Sequence, residues 1–158
     1  MKTSESKNTF LTPRQKAREI AFQFFYRLDQ QKEALVGKDA EGEFEKHAAH
    51  FNIPAESKDF AARLVTETMK SLKEVDAMIG KHAANWKFER IGAIEKSFLR
   101  IGTAELLYFK DVPASVTLNE LIELSKNFGE EDTPSFINGI LDPISREAQA
   151  LAGKVASE

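Results

Sequence analysis

Apolar residues recur every three or four positions along nearly the whole chain, strand-like alternation is almost absent, and the Pro and Gly residues fall between the periodic segments. This pattern predicts an all-α protein. A first helix is expected to start with Thr12 as cap and Pro13 in the first turn and to run to about Gln31. Ala17, Ile20, Ala21, Phe24 and Leu28 share one face of it. At about 100° per residue, Arg18, Phe22 and Tyr26 line up on a different side, a second aromatic surface beside a cation that calls for a partner. Residues 37–42 read as a loop, residues 43–51 as a short helix ended by Asn52-Ile53-Pro54, and residues 56–79 as one long helix. In that long helix Phe60, Leu64, Thr68, Leu72, Val75 and Ile79 recur at helical spacing, with Gly80 as the stop. Residues 81–89 are ambiguous. Ile91, Ile94, Phe98, Ile101 and Leu106 mark a central apolar helix that ends before Asp111-Val112-Pro113, where Val112 is biased towards extended geometry. Residues 115–128 form a further helix with Leu118, Leu121, Ile122 and Ser125 inward and Glu120 and Glu123 outward.

The stretch FGEEDTPSFINGILD, residues 128–142, combines a helix stop, an acidic cluster and a helix start. Gly129 is suited to the positive φ that terminates a helix. Glu130, Glu131 and Asp132 place negative charge ahead of a new helix, with Thr133 as N-cap and Pro134 in the first helical position. Phe136, Ile137, Ile140 and Leu141 supply an apolar stripe, and Gly139 leaves a gap for a neighbouring helix or a partner. The ring of Pro143 meets the carbonyl of Gly139, so a kink or an early break is expected there.

At 158 residues the chain reads as one domain, residues 12–152, with a disordered polar tail at 1–11 and a flexible end at 153–158. The first residues have no apolar core of a secretory signal, and no apolar run is long enough for a bilayer, which makes the cytoplasm the default compartment and membrane insertion unexpected. With no cysteine there is no disulfide, thiolate metal site or cysteine nucleophile. The net charge of -3 argues against indiscriminate binding to nucleic acid, but it is unevenly spread. Up to Arg27 six cations face two acids, a local +4, which leaves -7 for the remainder.

His47 and His50 stand three apart and in principle face one metal, but a third convergent ligand is missing, and the plainer reading is two surface histidines. No phosphate-cradling loop, dinucleotide turn or nucleophile elbow is present, so no catalytic function and no cofactor are expected. Arg14, Lys16 and Arg18, with Gln15 as a hydrogen-bonding side chain, are either a phosphate-binding helix start or a solvated face. Phe22, Phe25 and Tyr26 are either inter-helix core or a base-stacking platform. Asn138 is either a partner contact or a satisfied amide at a helix end.

Two segments go further. Residues 12–29 (TPRQKAREIAFQFFYRLD) and 91–142, with IEKSFLR, AELLY, the VP turn, LNELIELSKNFG and SFINGILD in order, resemble the NusB family of bacterial transcription antitermination factors. The resemblance covers nearly the whole chain, with residues 30–81 matching mainly in helix length. It implies a compact bundle of about six to seven helices in two packed halves, without catalysis. It also implies binding to the boxA segment of ribosomal RNA leader transcripts jointly with NusE, a ribosomal protein of the small subunit. The heterodimer would join an RNA polymerase elongation complex with other Nus factors.

The family's RNA-binding patch falls on Arg14, Gln15, Lys16 and Arg18, although Gln15 stands where a cation is frequent and Lys16 where Arg is frequent. Asp132 and Phe136 match an edge where RNA and NusE meet, and Glu95 an acidic position towards NusE. Asp132 near phosphate would act as a brake that makes RNA capture depend on the partner. Pro134 and Pro143 depart from the commoner family residues. Two alternatives remain at this stage. One is a homodimeric, protein-binding form that covers its RNA surface. The other is a fragment of a ribosomal RNA cytosine methyltransferase with a NusB-like domain, for whose methyl-donor domain 158 residues leave no room.

Overall fold

The computed structural model describes residues 11–31 and 39–156, with side chains through residue 152. Among the described residues there are seven α-helices, one short 3-10 turn and no strand, as the three-and-four periodicity requires. The helices are α1 (Pro13–Gln30), α2 (Ala40–His50), α3 (Ala55–Lys70), α4 (Leu72–His82), α5 (Ala93–Tyr108), α6 (Ala114–Ser125) and α7 (Thr133–Ala156), with the 3-10 turn at Phe88–Arg90 before α5. The start of α1 is a reciprocal capping box. The Gln15 N–H donates to Thr12 Oγ1 at 3.2 Å and the Thr12 N–H donates to Gln15 Oε1 at 2.8 Å, so two orphan donors of the first turn are satisfied. The expected tail lies outside the described residues except for Leu11, as does Gly37 of the expected loop, whereas α7 continues helically to Ala156.

Helix α5 is the hub. Helices α1, α2 and α3 pack as one half and α4 to α7 as the other, and α5 joins them by touching α1, α3, α4, α6 and α7. Its sequence explains the position, since Phe98, Leu99, Ile101 and Ala104 are all fully buried, pointing around the helix rather than along one stripe. Gly102 opens room for the neighbours: a Cβ there would sit 2.8 Å from Leu121 Cδ1 of α6 and 3.0 Å from Leu141 Cδ1 of α7. The second face of α1 finds its partner here. Phe22 stacks on Phe98 with ring centroids 4.0 Å apart and nearly parallel, and Phe128 closes over both. Phe22 and Phe25 are therefore inter-helix core, and burial of each contributes roughly 1.5–3 kcal/mol.

The structure departs from the sequence pattern at several breaks. Helix α2 begins at Ala40, before Gly42, with the Asp39 carboxylate folded over that glycine. The expected long helix is two helices, α3 and α4, meeting at Ser71 with φ -107° and ψ 22°. There the Ser71 hydroxyl donates to Glu67 Oε2 at 2.8 Å. Leu72, Val75 and Ile79 keep the same three-and-four spacing and are buried on the far side of the break, so the pattern does not register it. Gly80 ends nothing, because α4 runs to His82. Leu124 is buried, whereas Leu118 and Ile122 are half-buried. Pro143 does not break α7 either, since the Gly139 residue whose carbonyl loses its helical donor is exposed to solvent.

Candidate nucleic-acid interface

The residues expected to bind RNA and partner fall into two groups. The first is the start of α1. The Arg14 guanidinium is half-exposed, lies over the Phe60 ring at 4.6 Å and sits 3.6 Å from Asp111 Oδ2. Lys16 Nζ is 2.9 Å from Oε1 of the buried Glu19 one turn on, and its side chain lines a shallow recess with Thr12, Pro13, Pro54 and Ser57. The Gln15 side chain is engaged at both ends: its carbonyl closes the capping box and its Nε2 donates to Glu120 Oε2 of α6 at 2.7 Å. Its expected contact with RNA thus competes with a cap and an inter-helix bond.

Arg18 is placed differently from Arg14 and Lys16. It is 1% exposed, and its guanidinium donates in a bidentate arrangement to Glu105 of α5, with Nε 2.9 Å from Oε1 and Nη2 2.6 Å from Oε2. The Thr117 hydroxyl of α6 donates to the same Glu105 Oε2 at 2.5 Å. A cation held this way by three helices faces the interior. A buried charge is tolerable only when paired and hydrogen-bonded, and this one is both. Sequence periodicity had already set Arg18 on the aromatic side of α1, but its carboxylate partner lies 87 positions away and no local pattern announces it.

The second group is brought together. Glu95, Asp132 and Phe136 line one recess of about 150 Å³ with Trp86, Arg90, Ile91, Gly92 and Thr133, between the start of α5 and the start of α7. Phe136 meets the edge of Trp86 at 5.5 Å, and Trp86 is 53% exposed, the most exposed large apolar side chain among the described residues. Sequence reasoning missed Trp86 and Arg90, which lie in the ambiguous stretch and the turn after it. The lone Trp of the chain was the available signal.

The recess is built by the junction of residues 128–142, though not as its sequence suggests. Gly129 does not take a positive φ. It is needed because a Cβ there would collide with Oγ1, Cβ and Cγ2 of Thr133. Nor does Thr133 cap its own helix. Its Oγ1 accepts from the Glu130 N–H at 2.9 Å and donates to Glu95 Oε2 at 2.6 Å, which ties the α7 start to α5. Asp132 is left exposed at the rim, and its backbone carbonyl accepts from the Phe136 N–H at 3.0 Å. Beyond the rim, Pro134, Ser135 and Asn138 of α7 face Asn119, Ile122 and Glu123 of α6 across an open groove, so Asn138 is a surface group. Gly139 beside it meets nothing within 4 Å, and no neighbouring helix uses the gap.

His47 is not a surface histidine. It is 1% exposed among Phe24, Phe44 and Phe51, and its Nδ1 accepts from Arg27 Nε at 3.2 Å. Burial, then the charge of Arg27, lowers its pKa to about 4. No group of three or more His, Cys, Asp or Glu suited to a metal ion occurs among the described residues. No helix among them is long and apolar enough to cross a membrane.

The NusB family model matches residues 15–146. The chain belongs to the NusB family. It is 38% identical over 135 residues to the transcription antitermination protein NusB of Syntrophus aciditrophicus, covering 85% of this chain and 81% of that one. Among solved structures it is similar to T. maritima NusB, with a TM-score of 0.75 at 30% identity over 86% of this chain and 92% of the other. It is also similar to a chain in a crystal structure of the antitermination factors NusB and NusE in complex with dsRNA. There the TM-score is 0.73 at 28% identity, over 85% and 97% of the two chains. The matched span runs from Gln15 of α1 into α7, so it takes in Glu95, Asp132 and Phe136 and all of the first group except Arg14.

Proposed function

We propose that this NusB-family chain is a non-enzymatic transcription antitermination factor that takes boxA RNA of nascent ribosomal RNA transcripts together with NusE. In this role it carries the pair into an RNA polymerase elongation complex with other Nus factors. The observation that carries the reading is the recess that gathers Glu95, Asp132 and Phe136 under an exposed Trp86. An aromatic pair beside carboxylates suits an interface that stacks bases or side chains and selects by charge, because single-stranded RNA is read mainly through stacking and base edges. A solved NusB relative in complex with NusE and dsRNA supports the same pairing of partners.

The division of labour follows from the two groups. Arg14 and Lys16 attract the phosphate backbone, the Trp86–Phe136 edge contacts bases or NusE, and Glu95 and Asp132 face the partner side. Arg18 and Gln15 serve by holding α1 to α5 and α6 rather than by touching RNA. The test is a titration of fluorescent boxA RNA against the protein alone and with NusE, with a scrambled RNA as control and light scattering for stoichiometry. Tighter binding to boxA than to the scrambled RNA, strengthened by NusE, is expected. A permanent homodimer that ignores NusE and does not discriminate between the RNAs overturns the reading.

A further inference from the structure

One cluster outside the expected patch shares a member with it. Asp111, in the turn between α5 and α6, lies between two guanidinium groups from different helices. Arg63 of α3 grips it in a bidentate arrangement, Nη2 to Oδ1 at 2.8 Å and Nη1 to Oδ2 at 3.2 Å, while Arg14 of α1 approaches Oδ2 at 3.6 Å. Each cation rests on an aromatic face: Arg14 on Phe60 at 4.6 Å and Arg63 on Phe109 at 3.9 Å. The two rings are buried and meet edge to face at 5.4 Å, so the platform beneath the cations is part of the core. All three charged side chains are about half-exposed, at 51% for Arg14, 45% for Arg63 and 49% for Asp111.

This arrangement differs from an ordinary surface ion pair. Each guanidinium rests on a buried ring as well as on the carboxylate, a contact that holds it near the same spot when the carboxylate swings aside. Two converging guanidinium groups can donate to the two free oxygens of a backbone phosphate as they do to the carboxylate. An exposed ion pair contributes little to stability, so exchanging Asp111 for another anion costs little. Asp111 is ionised at neutral pH, since the hydrogen bonds from Arg63 hold its pKa at about 2.

We propose that Arg14 and Arg63 form a phosphate-binding cleft for the RNA backbone, in which the Asp111 carboxylate is a built-in competitor that the RNA displaces. The inference rests on the RNA-binding reading above and extends it to α3, whose cation no sequence motif pointed to. RNA is favoured over an acidic protein partner because Arg14 shares the start of α1 with a second cation, Lys16.

The experiment measures binding of boxA RNA and of scrambled single-stranded RNA to the full chain with NusE, across a salt series. The variants are Arg63→Gln, Arg63→Lys and Asp111→Asn, each checked for an unchanged thermal midpoint. Arg63→Gln is expected to weaken both RNAs about three- to tenfold and to reduce the salt slope by about 0.7, the share of one single-strand phosphate contact. Arg63→Lys should recover part of the loss, and Asp111→Asn should tighten both RNAs several-fold. Unchanged RNA affinity in Arg63→Gln overturns the cleft, as does weaker binding in Asp111→Asn, which would make Asp111 a positioning residue. So does a loss confined to NusE affinity. If the wild type does not distinguish boxA from the scrambled RNA, the boxA reading falls, while the cleft is still judged by the ratio of variants to wild type on either RNA.

Discussion

Arg18 and Glu105 form a buried ion pair, Nη2 to Oε2 at 2.6 Å, with neither side chain more than 2% exposed. The pair ties α1 to α5, and Thr117 adds α6 through the same carboxylate. A charge at this position therefore fixes the placement of three helices. Removing one partner leaves the other buried and uncompensated.

Arg18→Ala is accordingly expected to destabilise the fold by about 3–5 kcal/mol, the usual cost of breaking a buried pair. Affinity for RNA and for NusE should then fall together, in step with the unfolded fraction. The combined replacement Arg18→Met, Glu105→Leu and Thr117→Val, which removes every polar member at once, should recover most of the stability. Urea unfolding of the single and combined variants decides the matter. A stable Arg18→Ala protein with a selective RNA defect would instead restore Arg18 to the binding surface.

The two glycines of the α6–α7 junction and of α7 should respond in opposite directions. A Cβ at Gly129 collides with Thr133, the residue that also holds Glu95, so Gly129→Ala should cost on the order of 1–3 kcal/mol and loosen the recess. Gly139 lies in an exposed stretch of helix with open space around it, and Gly139→Ala should gain up to about 1 kcal/mol from helix propensity alone. Thermal unfolding of the pair tests this. Equal effects of the same sign would mean that neither glycine answers to its surroundings.

These contrasts show what was legible in the sequence. Much that depends on neighbours within one or two turns could be read: the Thr12 cap, the core face of α1, and the apolar run of α5, though not the clash that requires Gly129 beside Thr133. What depends on distant residues could not. Arg18 and Glu105 are 87 positions apart, Thr133 and Glu95 are 38 apart, and each looks like an ordinary polar helix residue in its own segment. Ser71 breaks a helix without disturbing the apolar period, and a break of that kind is invisible to periodicity. Glu95, Asp132 and Phe136 were named through family resemblance, and their meeting in one recess with Trp86 is a tertiary fact.

His47 should make the fold acid-sensitive in a defined window. Its pKa is about 4 in the folded state against 6.5 for an ordinary histidine, so the unfolded chain binds the extra proton first as pH falls. Stability contributed by the neutral ring is complete above about pH 6.5 and is lost progressively down to about pH 4, amounting to on the order of 3 kcal/mol. Denaturant unfolding at pH 7 and at pH 4.5 measures the loss, and His47→Gln should shrink it. An unchanged pH slope in that variant would assign the acid sensitivity to other groups.

Asp132 offers the sharpest test at the recess itself. It is exposed at the rim with Phe136 one turn along α7, and it follows Glu130 and Glu131, so its charge adds to a negative potential where a phosphate would approach. Asp132→Asn keeps the shape and the backbone carbonyl that receives the Phe136 and Ser135 donors. It removes one repulsive charge, worth about 1 kcal/mol near a surface, at the cost of a few tenths of a kcal/mol of helix-dipole stabilisation. BoxA affinity should therefore rise about three- to tenfold, most clearly without NusE and at low salt, where screening is weakest. An affinity that stays the same or falls in that titration refutes the proposed brake and leaves Asp132 as a helix-start residue only.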